Sequence, residues 1–208
     1  QPLPSYGCCC LGSVNLTPFV ADPFSPKARF EFERFGDVVR TSIRMLDNVL
    51  DVTVWPLPQQ DQEAKNKRRV GLGFTGLGDA LVMLGLRFDS AQARTMAAQI
   101  AETMRDAAYA SSVDLAQEKG EFPLLDREKY LAAPRFASRL PEEIKAQIRK
   151  HGIRNIAVHK ALPLGPINSE GMRVDDISAA ANRYEEINFQ IVHAGFMFVD
   201  ETKMLMIN

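Results

Sequence analysis

The sequence predicts an α/β fold that is mostly helical, and three observations carry that prediction. Long stretches repeat their apolar residues at helical spacing, over Phe30–Val52, 90–119 and 141–151. Short apolar runs with strand character separate them, at Ser13–Thr17, Arg68–Gly71 and Ile153–Val158. The 208 residues are 46% apolar and 25% charged, the balance of a globular chain rather than a disordered or fibrous one.

Residues 1–29 are rich in Pro, Gly and Ser and read as loop, with Ser13–Thr17 as a short extended piece. From Phe30 the pattern turns helical. Phe35, Val39, Leu46, Val49 and Leu50 fall on one side, while Arg44, Asp47, Asn48 and Asp51 form a polar stripe on the other. Trp55-Pro56-Leu57-Pro58 stops that helix, because proline lacks the donor and restricts the residue before it.

A charged segment over 59–69 leads into Gly71-Leu-Gly73-Phe-Thr-Gly76 and an apolar helix ending near Leu86. Asp89-Ser90 caps the longest helix, whose stripe runs Ala93, Ala97, Ile100, Met104, Ala107, Ser111 and Leu115 before Gly120 ends it. Small residues dominate that stripe and predict close packing. Pro141 opens the next helix, Glu142 and Glu143 occupy its first turn, and Lys150-His151-Gly152 closes it. A short buried strand at 153–158 leads into Leu162-Pro-Leu-Gly-Pro166, and the final forty residues carry no comparable punctuation.

The totals narrow the function classes. A net charge of -1 is unlike a dedicated nucleic-acid module, so no direct nucleic-acid contact is expected. No apolar run reaches the length of a membrane span. The only cysteines, Cys8, Cys9 and Cys10, do not make a secreted disulfide framework, and a cytoplasmic protein with reduced thiols is expected.

Four places could carry chemistry. Adjacent cysteines seldom bridge one another, and zinc would need further ligands, while His151, His159 and His193 lie far away in sequence. Buried thiols, thiol exchange and metal binding all stay open for Cys8–Cys10. Gly71-x-Gly73-x-x-Gly76 has the spacing of a dinucleotide fingerprint, but a second βαβ element and its ribose-binding acid are lacking, so tight helix–sheet packing is the expected use. Leu162–Ser169 is either a phosphate-binding turn or a connecting loop, and its prolines remove donors from any cradle. The Arg44/Asp47/Asn48/Asp51 stripe reads as a solvated or paired face.

Five ordered strings together resemble the catalytic chain of ribonucleotide reductases, in particular the vitamin B12-dependent (class II) branch. They are Gln1-Pro-Leu-Pro-Ser-Tyr-Gly with Cys9-x-Leu-Gly-Ser-Val-Asn-Leu16, Arg44-Met-Leu-Asp-Asn-Val49, Lys67–Leu81, Ala116-Gln-Glu-Lys-Gly120 and His151-Gly-Ile-Arg-Asn155. The resemblance implies part of a ten-stranded α/β barrel over 1–155, with 156–208 as a divergent tail. It implies a ribonucleotide substrate reduced at its 2′-hydroxyl by a thiyl radical, adenosylcobalamin as the radical source, and a redox-active cysteine pair. A thioredoxin-type or C-terminal dithiol would recharge that pair in the full-length parent.

Carried over by position, Cys9 takes the place of one electron-donating thiol, and Cys8 and Cys10 receive no role. The family's Asn-x-Cys-x-Glu string, with the radical cysteine, is expected just before Gln1, and the second redox cysteine further upstream. Pro163, Gly165 and Ile167 would be what remains of a substrate-phosphate loop, without its hydroxyl donors. These expectations describe a segment inactive by itself and prone to self-association. Two other readings are a non-enzymatic interaction module and a thiol- or metal-binding protein centred on Cys8–Cys10.

Overall fold

In the computed structural model, residues 4–133 and 137–157 are described. They form a three-stranded parallel sheet covered on one side by helices. The strands are β1 (Cys10–Asn15), β4 (Arg69–Thr75) and β5 (Ile156–Ala157), in the order β1-β4-β5. Between β1 and the first helix, β2 (Val20–Ala21) and β3 (Arg29–Phe30) make a small antiparallel pair. The helices are α1 (Phe32–Val52), α2 (Pro58–Lys67), α3 (Leu77–Met83), α4 (Ala91–Lys119), α5 (Arg127–Leu131) and α6 (Glu142–His151).

The segment is mostly helical as expected, and the ten-stranded barrel of which it was expected to be part is not closed among the described residues. Closure needs every strand edge paired, and three strands leave two edges. What the described residues provide is an open parallel sheet, and parallel strands require long crossovers, which α1 with α2 and then α4 supply.

The register is Cys10↔Val70 through Asn15↔Thr75. Cys10, Gly12 and Val14, with Val70, Leu72 and Phe74, face the helices, and Cys10 and Phe74 pack on the main core beside buried Val14, Val70 and Leu72. Gly12 permits that contact, since a Cβ there would sit 3.4 Å from Leu46 Cδ2. The core joins Phe19, Phe30 and Phe35, in edge-on and tilted ring contacts, to Val39, Ile43, Leu46 and Leu50 of α1.

The α4 stripe is buried as predicted, from Ala93 to Leu115. Its small residues let α1 come close, and a Cβ on Gly36 would meet Ala107 and Thr103 at 3.9 Å. Ser90 Oγ accepts from the Ala93 N–H at 3.1 Å, fixing the start of α4. On α1 the predicted face is corrected at one place. Val49 is half-exposed and Ile43 is buried instead, because the contact with α4 rotates the buried arc.

Two segments differ from the sequence reading. The charged stretch after Pro58 is a helix, α2, with the proline in its first turn and Arg68 in the left-handed region (φ +43°) at its end. The glycine-rich segment is strand as far as Thr75, four residues beyond the expected end at Gly71. Of the predicted 153–158 strand, Ile156–Ala157 is seen.

Candidate redox thiol site

The thiols sit where the chain enters β1. A turn closed by the Gly7 N–H on the Pro4 carbonyl at 2.8 Å, with Tyr6 at φ +59°, delivers Cys8–Cys10 to the start of the strand. All three cysteines are half-buried. Cys10 points to the helix side and packs on the core. Burial pushes its thiol up from the ordinary value. Burial also pushes the Cys8 thiol up, helped by the Glu63 carboxylate and opposed by the Arg69 guanidinium.

The two-residue period of extended chain turns Cys9 the other way, onto the side of Leu11, Ser13 and Asn15. Its Sγ lies 4.0 Å from the Cys10 carbonyl.

Among the described residues, α2 reaches that side at Arg69, where Glu63 Oε1 lies 3.5 Å from Nη1. Register pairs Leu11 with Gly71, Ser13 with Gly73 and Asn15 with Thr75, so small or short side chains pave it and Leu11 is 63% exposed. Gly71 and Gly73 lie within β4 at the register positions of Leu11 and Ser13, with Gly71 buried and Gly73 half-buried. Gly76 is conformational. It caps α3 at φ +72°, and a Cβ would fall 2.6 Å from Asn15 Oδ1, which accepts from the Thr17 N–H and hydroxyl. The glycines therefore do not form a phosphate turn at a helix start.

The stripe read as a solvated or paired face is a paired one, an ion cluster with Asp47 buried at its centre. Arg44 does pair at the surface, through two bonds to Glu118 at 3.0 and 2.6 Å. Asp47 is fully buried. Its Oδ1 accepts from Arg68 Nη2 at 2.6 Å, Arg68 Nε at 2.8 Å and Asn155 Nδ2 at 2.8 Å, while Lys119 Nζ reaches Oδ2 at 3.2 Å. Arg154 adds its charge at 3.5 Å, and Asp51 contacts Arg68 at 2.8 Å.

Burial alone would raise the Asp47 carboxyl. The bonds from Asn155, Arg68 and Lys119, with the Arg68 charge, outweigh it and hold the group below the ordinary carboxylate value. The signal for this cluster was present in the sequence. Four of the five strings behind the resemblance each contribute a member: Asp47, Arg68, Lys119, and Arg154 with Asn155.

A family profile described as "Ribonucleotide reductase, barrel domain" matches residues 1–190. The chain belongs to that family. Among curated relatives, it is 35% identical over 129 residues to a vitamin B12-dependent ribonucleoside-diphosphate reductase of Mycobacterium tuberculosis, covering 62% of this chain and 18% of the relative. It is 33% identical over 169 residues to the ribonucleoside-diphosphate reductase large chain of Schizosaccharomyces pombe, covering 74% and 20%. A vitamin B12-dependent reductase of Thermoplasma acidophilum is 33% identical over 123 residues, covering 59% and 16%. The chain thus spans about a fifth of the length of the relatives it matches.

Pro163, Gly165 and Ile167, with His159 and His193, lie outside the described residues. Among the described residues no group of three or more His, Cys, Asp or Glu is placed to hold a metal ion, and no helix is long and apolar enough to cross a membrane.

The described residues do not fit a corrin. A cavity of about 640 Å³ lies between α1, α4 and α6, lined by Glu33, Asp37, Asp106 and Glu143 over Gly36 and Ala107. No residue of β1 or β4 lines it, and neither does His151, the one histidine among the described residues.

Proposed function

We propose that these residues are a segment of the catalytic chain of a ribonucleoside-diphosphate reductase, with Cys9 as one thiol of its redox pair. In that reaction two thiols become a disulfide, giving up two electrons and two protons, and the ribose 2′-hydroxyl leaves as water. The observation that carries this reading is the placement of Cys9. It lies immediately before β1 on the side of Leu11 and Ser13, and in this reading a substrate or a dithiol reaches it there.

The radical source in this reading is adenosylcobalamin, supported by the names of the M. tuberculosis and T. acidophilum relatives. The reductant is a thioredoxin-type protein or a C-terminal dithiol of the longer chain, and the setting is the cytoplasm. Residues 163–167 stay assigned to a reduced phosphate loop and 156–208 to a divergent end. The 208 residues contain no Asn-x-Cys-x-Glu string, and their only cysteines are Cys8, Cys9 and Cys10. They therefore supply no radical cysteine.

The chain alone, given ribonucleoside diphosphate, adenosylcobalamin and dithiol, is expected to form no deoxynucleotide. Product above a protein-free control would sink this assignment. Exposed Leu11, Val52 and Val54, and the unpaired edge of β1 among the described residues, favour a second, non-enzymatic reading as an association module. A single monomer mass by light scattering at high concentration would count against it.

A further inference from the structure

Arg69 is the first residue of β4 on the face shared by Gly71, Gly73 and Thr75. The register Leu11↔Gly71 and Cys10↔Val70, carried back one residue, sets Cys9 beside it. Arg69 thus occupies the register position alongside the candidate redox thiol, on the same side of the sheet.

Its Nη1 is buried and has no hydrogen-bond partner. The facing carboxylate is Glu63 of α2, whose Oε1 lies 3.5 Å away. That oxygen is already taken by Lys67 Nζ at 2.6 Å. Lys67 therefore satisfies Glu63 and leaves Arg69 with an open, charged donor, a costly condition that an anion would relieve. The same two groups act on the neighbouring Cys8 thiol in opposite senses, Glu63 upward and Arg69 downward, so both reach the thiol edge electrostatically.

We propose that Arg69 is a positioning residue for thiol–disulfide exchange at Cys9, with its open Nη1 donor stabilising the sulfur anion. The proposal rests on the reading of Cys9 as the exchanging thiol and adds the group that makes it so. In the forward step the Cys9 thiolate attacks one sulfur of a disulfide. A new S–S bond forms, the old one breaks, and the departing thiolate carries the electron pair and takes a proton from water. In the return step a dithiol attacks, and Cys9 leaves as the thiolate. Negative charge rests on Cys9 sulfur at one end of either step, where a cation favours it. At this thiol edge Glu63 of α2, Arg69 of β4 and Cys10 act on the adjacent Cys8 thiol, and Lys67 of α2 pairs with Glu63.

The test is alkylation of the full 208-residue chain by iodoacetamide from about pH 6 to pH 10, with each cysteine's rate read by tandem mass spectrometry. In the unaltered chain Cys9 should react faster than Cys8 and Cys10 at neutral pH. Arg69→Met should move the Cys9 midpoint up by about one pH unit and slow it about tenfold at neutral pH. Arg69→Lys should restore most of the rate, and Glu63→Gln should move the midpoint down.

An unchanged Cys9 midpoint in folded Arg69→Met overturns the proposal, and so does failure of Arg69→Lys to rescue it. Should Arg69→Met not fold, Glu63→Gln decides, and no downward shift there overturns the proposal. Equal rates for all three cysteines in the unaltered chain would instead remove the reading of Cys9 itself.

Discussion

Replacing Asp47 with alanine should be among the most damaging single changes in the described residues. The carboxylate lies at 0% exposure and accepts from Arg68, Asn155 and Lys119, and Arg68 itself is 3% exposed. Removing it leaves a guanidinium buried with only Asp51, which is 40% exposed, as a charged partner at 2.8 Å. Breaking a buried ion pair from one side costs roughly 3–5 kcal/mol. The surviving Asp51 contact puts the expected loss near the lower end, about 3 kcal/mol.

Against a total of about 5–15 kcal/mol, that is a large fraction. It corresponds to a fall in Tm of roughly 10 °C for a chain of this size. Urea unfolding followed by far-ultraviolet circular dichroism reads it as a lower midpoint with an unchanged slope. Arg68→Met should also destabilise, and the two losses should fail to add by about 1–3 kcal/mol, because each removes the same contact. A loss under about 1 kcal/mol for Asp47→Ala, or additive losses in the double variant, would refute the view that this cluster ties the sheet to its helices.

Two further outcomes follow from the same geometry. The Asp47 carboxyl titrates lower folded than unfolded, so its stabilisation is complete above the ordinary carboxylate value and is lost as pH falls through the depressed folded value. The urea midpoint should therefore fall with acid more steeply in the unaltered chain than in Asp47→Asn, since exposed acids such as Glu118 titrate in both; equal slopes would contradict this. Gly76→Ala meets both φ +72° and a contact of 2.6 Å with Asn15 Oδ1, and should cost about 1–3 kcal/mol. Gly78→Ala, with nothing within 4 Å, is the control, and equal stability of the two variants would argue against the strained cap.

Much of the helical layer was legible because its determinants are local. The Ser90 cap, the α4 stripe and the Pro141 and Gly152 boundaries of α6 depend on residues a few positions apart. The strand at Arg68–Gly71 was legible, but its continuation through Gly73 to Thr75 was not. A strand there gains its stability from Leu11 and Ser13 alongside, some sixty positions earlier in the chain. The helix after Pro58 was missed for a similar reason. Its weak apolar pattern buries only Ala64, while its end is fixed by Arg68 reaching back to Asp47.

The site divides along the same line. The sequence by itself determined that the chain belongs with ribonucleotide reductases, and its resemblance to that family is what singles out Cys9 for the proposed redox role. It also placed a charged residue in each of four separated strings. Only the tertiary structure decided that those charges meet around one buried carboxylate, that Gly71 and Gly73 lie in a strand beside Leu11 and Ser13, and that Arg69 begins that strand with an open donor. The reason is physical. Caps and periodicities act through neighbours in sequence, whereas burial, charge compensation and sheet register are set by groups that become neighbours only when the chain has folded.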